Sequence, residues 1–353
     1  IIGEACHFID MLTFLVGVYA NQGSERARAY AEHLTARGLA DNATRPGRLL
    51  GLAARGVAEY RDLFADGTLR ERLRHMITER FAREGARWPL RDRLLALEAL
   101  GRLGDPRLEA PWWVDVPGGT FTIGDGESAN SHSPRQVTVA GFPIAWRPVT
   151  VADYEPFVAS GAYSDPTYWE GVPDAERFEE PADWLLQRFH PNRPVVGVSL
   201  HEARAWCRWA SARRNEVIVL PTEEEWEYAA RGPSGDAFPW GEAPPGEGDN
   251  ARANHRWGDD QVGEASPVGA FPLGDRGRIV DLAGNVWEWT DSLWKDDDNS
   301  VESMKRDAPR VVRGGSWGYR ARSLRCATRS GSHPGNRSPD LAFRVVVQGL
   351  RQP

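Results

Sequence analysis

The chain has 353 residues, 41% hydrophobic and 26% charged, enough for two domains of ordinary size and incompatible with disorder. A net charge of −7 argues against general nucleic-acid binding, and three cysteines without a spacing motif make neither a disulfide framework nor a zinc knuckle. Residues 8–20 are apolar but too few to span a bilayer, and Asp10 interrupts them, so no membrane span is expected. A start at Ile1, with neither Met nor a basic leader, leads us to expect a fragment of a longer protein, and thiols without a disulfide framework lead us to expect a cytoplasmic one.

Residues 1–109 read as an all-α helical region. Apolar residues recur at helical spacing at Leu49, Leu50, Leu52, Ala53, Val57 and Tyr60, and again at Leu94, Leu95, Leu97, Leu100 and Leu103. Breaks fall at Asn21-Gln-Gly-Ser, at residues 40–47 and at Asp66-Gly-Thr, and Gly104-Asp-Pro106 stops the last helix. The pattern fits a bundle or a repeat-like connector. Connectors of this type often follow an NTPase or signalling domain, which is expected upstream.

From residue 110 to 353 the texture changes to short strands with Gly, Pro and Trp. Pro117-Gly118-Gly119 marks a turn between two strand-like runs, and residues 136–145 alternate like one half-buried strand. Capping signals at Thr150, at Ser199 with Glu202 and at Thr222 with Glu225 predict three helix starts. Leu200, Ala203, Trp206, Cys207 and Ala210 share one helix face, which makes Cys207 a core filler. Residues 231–307 show almost no periodicity and read as ordered loops pinned by aromatic side chains. The acidic run Asp296-Asp-Asp-Asn299 reads as a solvated turn.

Residues 310–346 hold two kinds of position. Arg313, Gly314, Gly315, Ser316, Trp317, Arg325, Cys326, Ala327, Phe343 and Arg344 read as framework. Between them, residues 318–323, 330–333 and 338–340 are small or chemically unrelated, with no apolar period. A rigid frame carrying irregular loops is a common way to build a binding surface. The stretch is also basic, with Asp340 its only acid. Several of its Arg residues are expected to hold carboxylates by forked hydrogen bonds.

Eight motifs run in order: Pro117-Gly-Gly-Thr-Phe-Thr-Ile-Gly, Arg193-Pro-Val-Val-Gly-Val-Ser, Ala205-Trp-Cys-Arg-Trp, Leu220-Pro-Thr-Glu-Glu-Glu-Trp, Phe238-Pro-Trp-Gly, Gly284-Asn-Val-Trp-Glu-Trp-Thr, Arg313-Gly-Gly-Ser-Trp and Ala342-Phe-Arg. Together they resemble the formylglycine-generating-enzyme-like superfamily, whose α+β domain is a variant of the C-type lectin fold with many irregular loops. That enzyme's oxidation chemistry needs two cysteines shortly after the Gly-Gly-Ser segment, and here none occurs before Cys326. A second branch uses an iron-binding helical bundle, but His7, His33 and His75 are isolated from one another.

The variable proteins of diversity-generating retroelements resemble this chain more. In them, rewriting of adenines changes chosen codons while the framework stays fixed. The resemblance implies a non-catalytic, ligand-binding protein with contacts at Gly318, Tyr319, Arg320, Arg322, Ser323, Thr328, Ser330, Gly331, Ser332, His333, Ser338, Pro339 and Asp340. Arg320 and Arg322 point to an acidic protein or other macromolecular partner. Two alternatives remain open, a non-varying docking module and an oxidase. The family also implies structural calcium, and the missing cysteine pair leads us to expect no redox cofactor. One calcium site would use Asp281, Glu288 and the carbonyls of Gly284 and Val286; another would use Asn254, Asp260 and the carbonyls of His255 and Val262.

Overall fold

The computed structural model describes residues 18, 24–40, 43–64, 67–109, 111–172, 177–294 and 308–348. The apolar residues 8–20 and the breaks beginning at Asn21 and Asp66 fall partly outside these limits, and the acidic run at Asp296 and His7 fall wholly outside. The chain divides into two units. The first comprises residues 1–111 with two excursions, 189–192 and 248–250; the second comprises 112–188, 193–247 and 251–353. A boundary drawn at residue 109 anticipates neither excursion.

The first unit contains α1 (Ser24–Leu39), α2 (Pro46–Glu59), α3 (Thr68–Glu84) and α4 (Leu90–Leu103). Leu50, Leu52, Ala53 and Val57 of α2 and Leu97, Leu100 and Leu103 of α4 are buried, as their spacing predicts. Gly104, at φ 92°, ends α4. The excursions serve this helix. Asp249 accepts the Leu90 backbone N–H at 2.6 Å, a cap that is remote in sequence. The amide of Asn192 donates to the Leu97 carbonyl and to Asp105, at 2.8 and 2.9 Å. His33 lies on α1 and His75 on α3, where His75 pairs with Glu79.

Among the described residues, the second unit carries three sheets. One orders β1 (Trp113–Val116), β4 (Phe142–Ala145), β10 (Val346–Val347) and β5 (Ile218–Val219), and β2 (Gly119–Ile123) pairs with β3 (Arg135–Val139). The third orders β8 (Arg329–Ser332), β7 (Arg310–Arg313), β6 (Trp287–Leu293) and β9 (Leu341–Phe343), with β9 parallel to β6. Residues 136–145 are therefore not one strand. The chain breaks at Ala140-Gly141 and its halves join different sheets.

The second correction is β6, an inner strand within a stretch that reads as loop. Trp287, Glu288, Trp289 and Thr290 are all buried, so neither face has the alternation that betrays a half-exposed strand. Helices α5 (Val151–Ala159), α6 (Trp184–Gln187), α7 (Leu200–Arg214) and α8 (Glu223–Arg231) complete the unit. Thr150, Ser199 and Thr222 each close a reciprocal capping box with the acid three residues on. Trp206, Cys207 and Ala210 of α7 face a core shared with Tyr154, Phe157, Trp289 and Phe343. Among the described residues no helix is long and apolar enough to cross a membrane.

Candidate ligand-binding surface

The frame under the C-terminal loops is held by buried charge. Glu288 and Arg344 are both fully buried, and the guanidinium donates to the two carboxylate oxygens at 2.7 and 2.6 Å. The Trp226 indole N–H donates to the same carboxylate at 2.6 Å. Glu223 accepts from Arg313 at 3.0 Å and from Arg329 at 2.7 Å, and His132 lies 3.0 Å away. Burial alone would raise the Glu223 pKa; the His132 hydrogen bond and the two guanidinium charges outweigh it and bring it to about 2. Arg325 reaches Asp125, and Arg337 reaches Glu202, each at 3.2 Å. Removing one partner of such a pair leaves a charge stranded in low dielectric.

Against this frame the loop positions lie outward. Gly315 turns the chain at φ 74°, and a Cβ there would lie 2.7 Å from the Ser323 carbonyl, so only Gly fits. Beyond it Tyr319 is 46% exposed, its ring edge-on to Trp287 at 5.3 Å. Arg320, Arg322, Gly331, His333 and Pro339 are exposed, and Gly318, Ser323, Ser330, Ser332, Ser338 and Asp340 are half-buried. Ser330, Gly331 and Ser332 lie on β8, the edge strand of its sheet.

Thr328 is corrected by the structure, and two further positions are constrained by the frame. Thr328 is 2% exposed, tucked beneath the loop where its carbonyl accepts from Arg313, so it belongs to the frame. Asp340 takes the Ser316 hydroxyl at 2.6 Å and also the Ser338 hydroxyl, so its carboxylate ties loop ends together. Gly331 backs onto Trp294, only 2.8 Å from where a Cβ would stand, which restricts what replaces it.

A cleft of about 590 Å³ beside Arg320, lined also by Glu247, Arg256, Trp257 and Asp259, was not foreseen. Those residues sit in aperiodic loops, and no pattern in the sequence signals that they converge.

The two expected calcium sites differ in fit. At the first, Asp281 accepts the Gly269 backbone N–H at 2.8 Å, and Glu288 already answers Arg344 and Trp226. A dication there would share the Glu288 carboxylate with the Arg344 guanidinium and meet its like charge. At the second, Asn254 is 1% exposed and uses its amide N–H groups on the Glu264 carbonyl and Asn285, at 2.8 and 3.3 Å. Its side-chain oxygen is buried without a hydrogen-bond partner, and so is that of Gln261 in the same loop. Unsatisfied buried oxygens are costly, and a hard cation is one remedy. The two orphaned oxygens, of Asn254 and Gln261, are the ground on which a hard cation suits this loop. Burial lowers the pKa of the His255 imidazole, against the hydrogen bond to the Ala253 carbonyl and the pull of Glu247.

Short strands in three small sheets, capped helices and a loop-rich C-terminal surface define an α+β domain of the C-type lectin type. Residues 103–349 match the sulfatase-modifying factor enzyme 1-like domain, and the chain belongs to this formylglycine-generating-enzyme-like family. The inactive C-alpha-formylglycine-generating enzyme 2 of Mus musculus is 32% identical over 302 residues, covering 73% of this chain and 92% of that protein. The formylglycine-generating enzyme of Mus musculus is 32% identical over 288 residues, covering 67% and 75%. Among solved structures, PvdO from Pseudomonas aeruginosa superposes with a TM-score of 0.54 at 25% identity, covering 67% of this chain and 94% of its own. Treponema denticola variable protein 1 shares the fold, with a TM-score of 0.50 at 20% identity and coverage of 67% and 95%.

Proposed function

We propose that this chain is a non-catalytic binding protein that presents a diversified C-terminal surface, as the variable protein of a diversity-generating retroelement does. The observation that carries the reading is the split within residues 310–346. Arg313, Cys326, Phe343 and Arg344 are buried, whereas every expected contact position except Thr328 is at least partly exposed. Substitution at exposed loop positions away from special contacts usually changes stability little. Tyr319, Arg320 and Arg322 supply the anchors for a macromolecular, acidic-leaning partner, and Ser and Gly supply adaptable contacts.

Two further features support binding over oxidation. No cysteine stands between Gly314 and Arg325, and Cys326 is buried, with its thiol pKa pushed up by burial. Cys207 is also buried with a raised pKa, and neither thiol suits a role as a thiolate ligand. Calcium in the Asn254 loop is proposed as structural, and a cytoplasmic setting fits free buried thiols. The test is to sequence sibling copies of the gene together with the neighbouring DNA. Differences confined to adenine positions of a nearby near-identical repeat are expected. Identical copies and no adjacent reverse transcriptase would point instead to a non-varying docking module.

A further inference from the structure

The cleft beside Arg320 holds exposed charges of both signs: Arg256 and Arg320, with Glu247 and Asp259. Among the described residues, none of these four side chains makes an ion pair or hydrogen bond. Glu247 has only an electrostatic pull on the buried His255 ring. This sets Arg256 and Arg320 apart from Arg313, Arg325, Arg329, Arg337 and Arg344, each of which holds a carboxylate. Trp257 gives the cleft an aromatic wall, meeting His255 edge-on at 4.9 Å. The Arg256 backbone N–H donates to the Tyr319 carbonyl at 2.8 Å. That bond ties the two walls together, so the cleft is formed before anything enters it.

Opposite charges that line one cleft without neutralising each other are left to solvent or to a ligand. A ligand of one sign gains from one pair and is repelled by the other. A ligand carrying both signs gains from all four groups. The space, about 590 Å³, is that of an ordinary ligand pocket and takes a pair of long side chains.

We propose that this cleft is an anchor subsite for a mixed-charge peptide segment, with an acidic and a basic side chain close together. The carboxylate lies between Arg256 and Arg320, and the cation lies towards Glu247, Asp259 and the face of Trp257. The proposal rests on the reading of residues 310–346 as the binding surface and names the chemistry of its partner. Arg320 is the exchangeable wall of the subsite, and Glu247, Arg256, Trp257 and Asp259 are its constant walls.

The test uses the full chain and three dye-labelled peptides of equal length, alternating Glu-Lys, all-Glu and all-Lys, followed by fluorescence anisotropy at physiological salt. The alternating peptide is expected to bind at least tenfold tighter than either of the others. Arg256→Ala, Glu247→Gln and Arg320→Ala should each weaken it threefold or more with unchanged melting temperature, since all three side chains are exposed. Equal or tighter binding of the all-Glu or all-Lys peptide, or no saturable binding by any of them, would overturn the proposal. So would unchanged affinity in Arg256→Ala and Glu247→Gln alongside loss in Arg320→Ala, but that result leaves the surface reading standing.

Discussion

Residues 310–346 contain two populations of arginine, and the contrast between them explains the domain. Arg313, Arg329 and Arg344 are at most 5% exposed and hold the buried carboxylates of Glu223 and Glu288. Arg320 and Arg322 are exposed and bound to no carboxylate among the described residues. The same residue type thus does opposite work a few positions apart. One set ties the scaffold together through buried ion pairs, and the other is left on the surface, where substitution is expected to leave the fold intact.

The comparison is broken most severely by attacking the buried set. Arg344→Ala should cost about 3–5 kcal/mol, because Glu288 would then be buried without its cation. Urea unfolding of this variant reads the loss directly.

Acid acts on the same set. The Glu223 pKa in the folded protein, about 2, lies below its ordinary 4.5, so its stabilisation is complete above about pH 4.5 and lost as pH falls towards 2. A shift of this size corresponds to about 3 kcal/mol at neutral pH. Denaturant midpoints across this window should fall in wild type and fall less in Glu223→Gln, which starts from lower stability.

Calcium is expected to act at the Asn254 loop, which borders the surface. Calcium at about a hundred times its dissociation constant should stabilise the fold by about 2.7 kcal/mol, and EDTA should remove that gain. Asn254→Ala should abolish the response, whereas Asp281→Asn should leave it intact. A response that survives Asn254→Ala and disappears in Asp281→Asn would reverse the assignment of the two sites. The smallest expected effect lies on the exposed set, where Arg322→Ala should change stability by no more than about 0.5 kcal/mol.

The sequence is most readable where the physics is local. Capping boxes at Thr150, Ser199 and Thr222 depend on residues three apart, and all three form. The face of α7 and the stop at Gly104 follow from period and backbone preference in the same way. Arg313, Arg325 and Arg344 hold carboxylates, as their framework positions suggest, and Arg329 and Arg337, which do not read as framework, do so too; the partners lie 56 to 200 residues away, so no spacing rule names them. Strand β6 escapes for a related reason: burial on both faces removes its alternation. Thr328 is expected as a contact only through the resemblance, and the fold buries it with its framework neighbours Cys326 and Ala327. The cleft joins Arg256 to Arg320 through one backbone hydrogen bond, a contact that neither loop encodes alone.

The frame is expected to fold independently of what its loops present. The most direct measurement replaces Tyr319, Arg320, Arg322, Ser330, Ser332, His333 and Pro339 together with Ala, then records thermal unfolding and binding to the alternating Glu-Lys peptide on the same sample. The account predicts a cooperative transition within a few degrees of wild type and loss of peptide binding. An unfolded or non-cooperative chain, or binding retained in full, would contradict it.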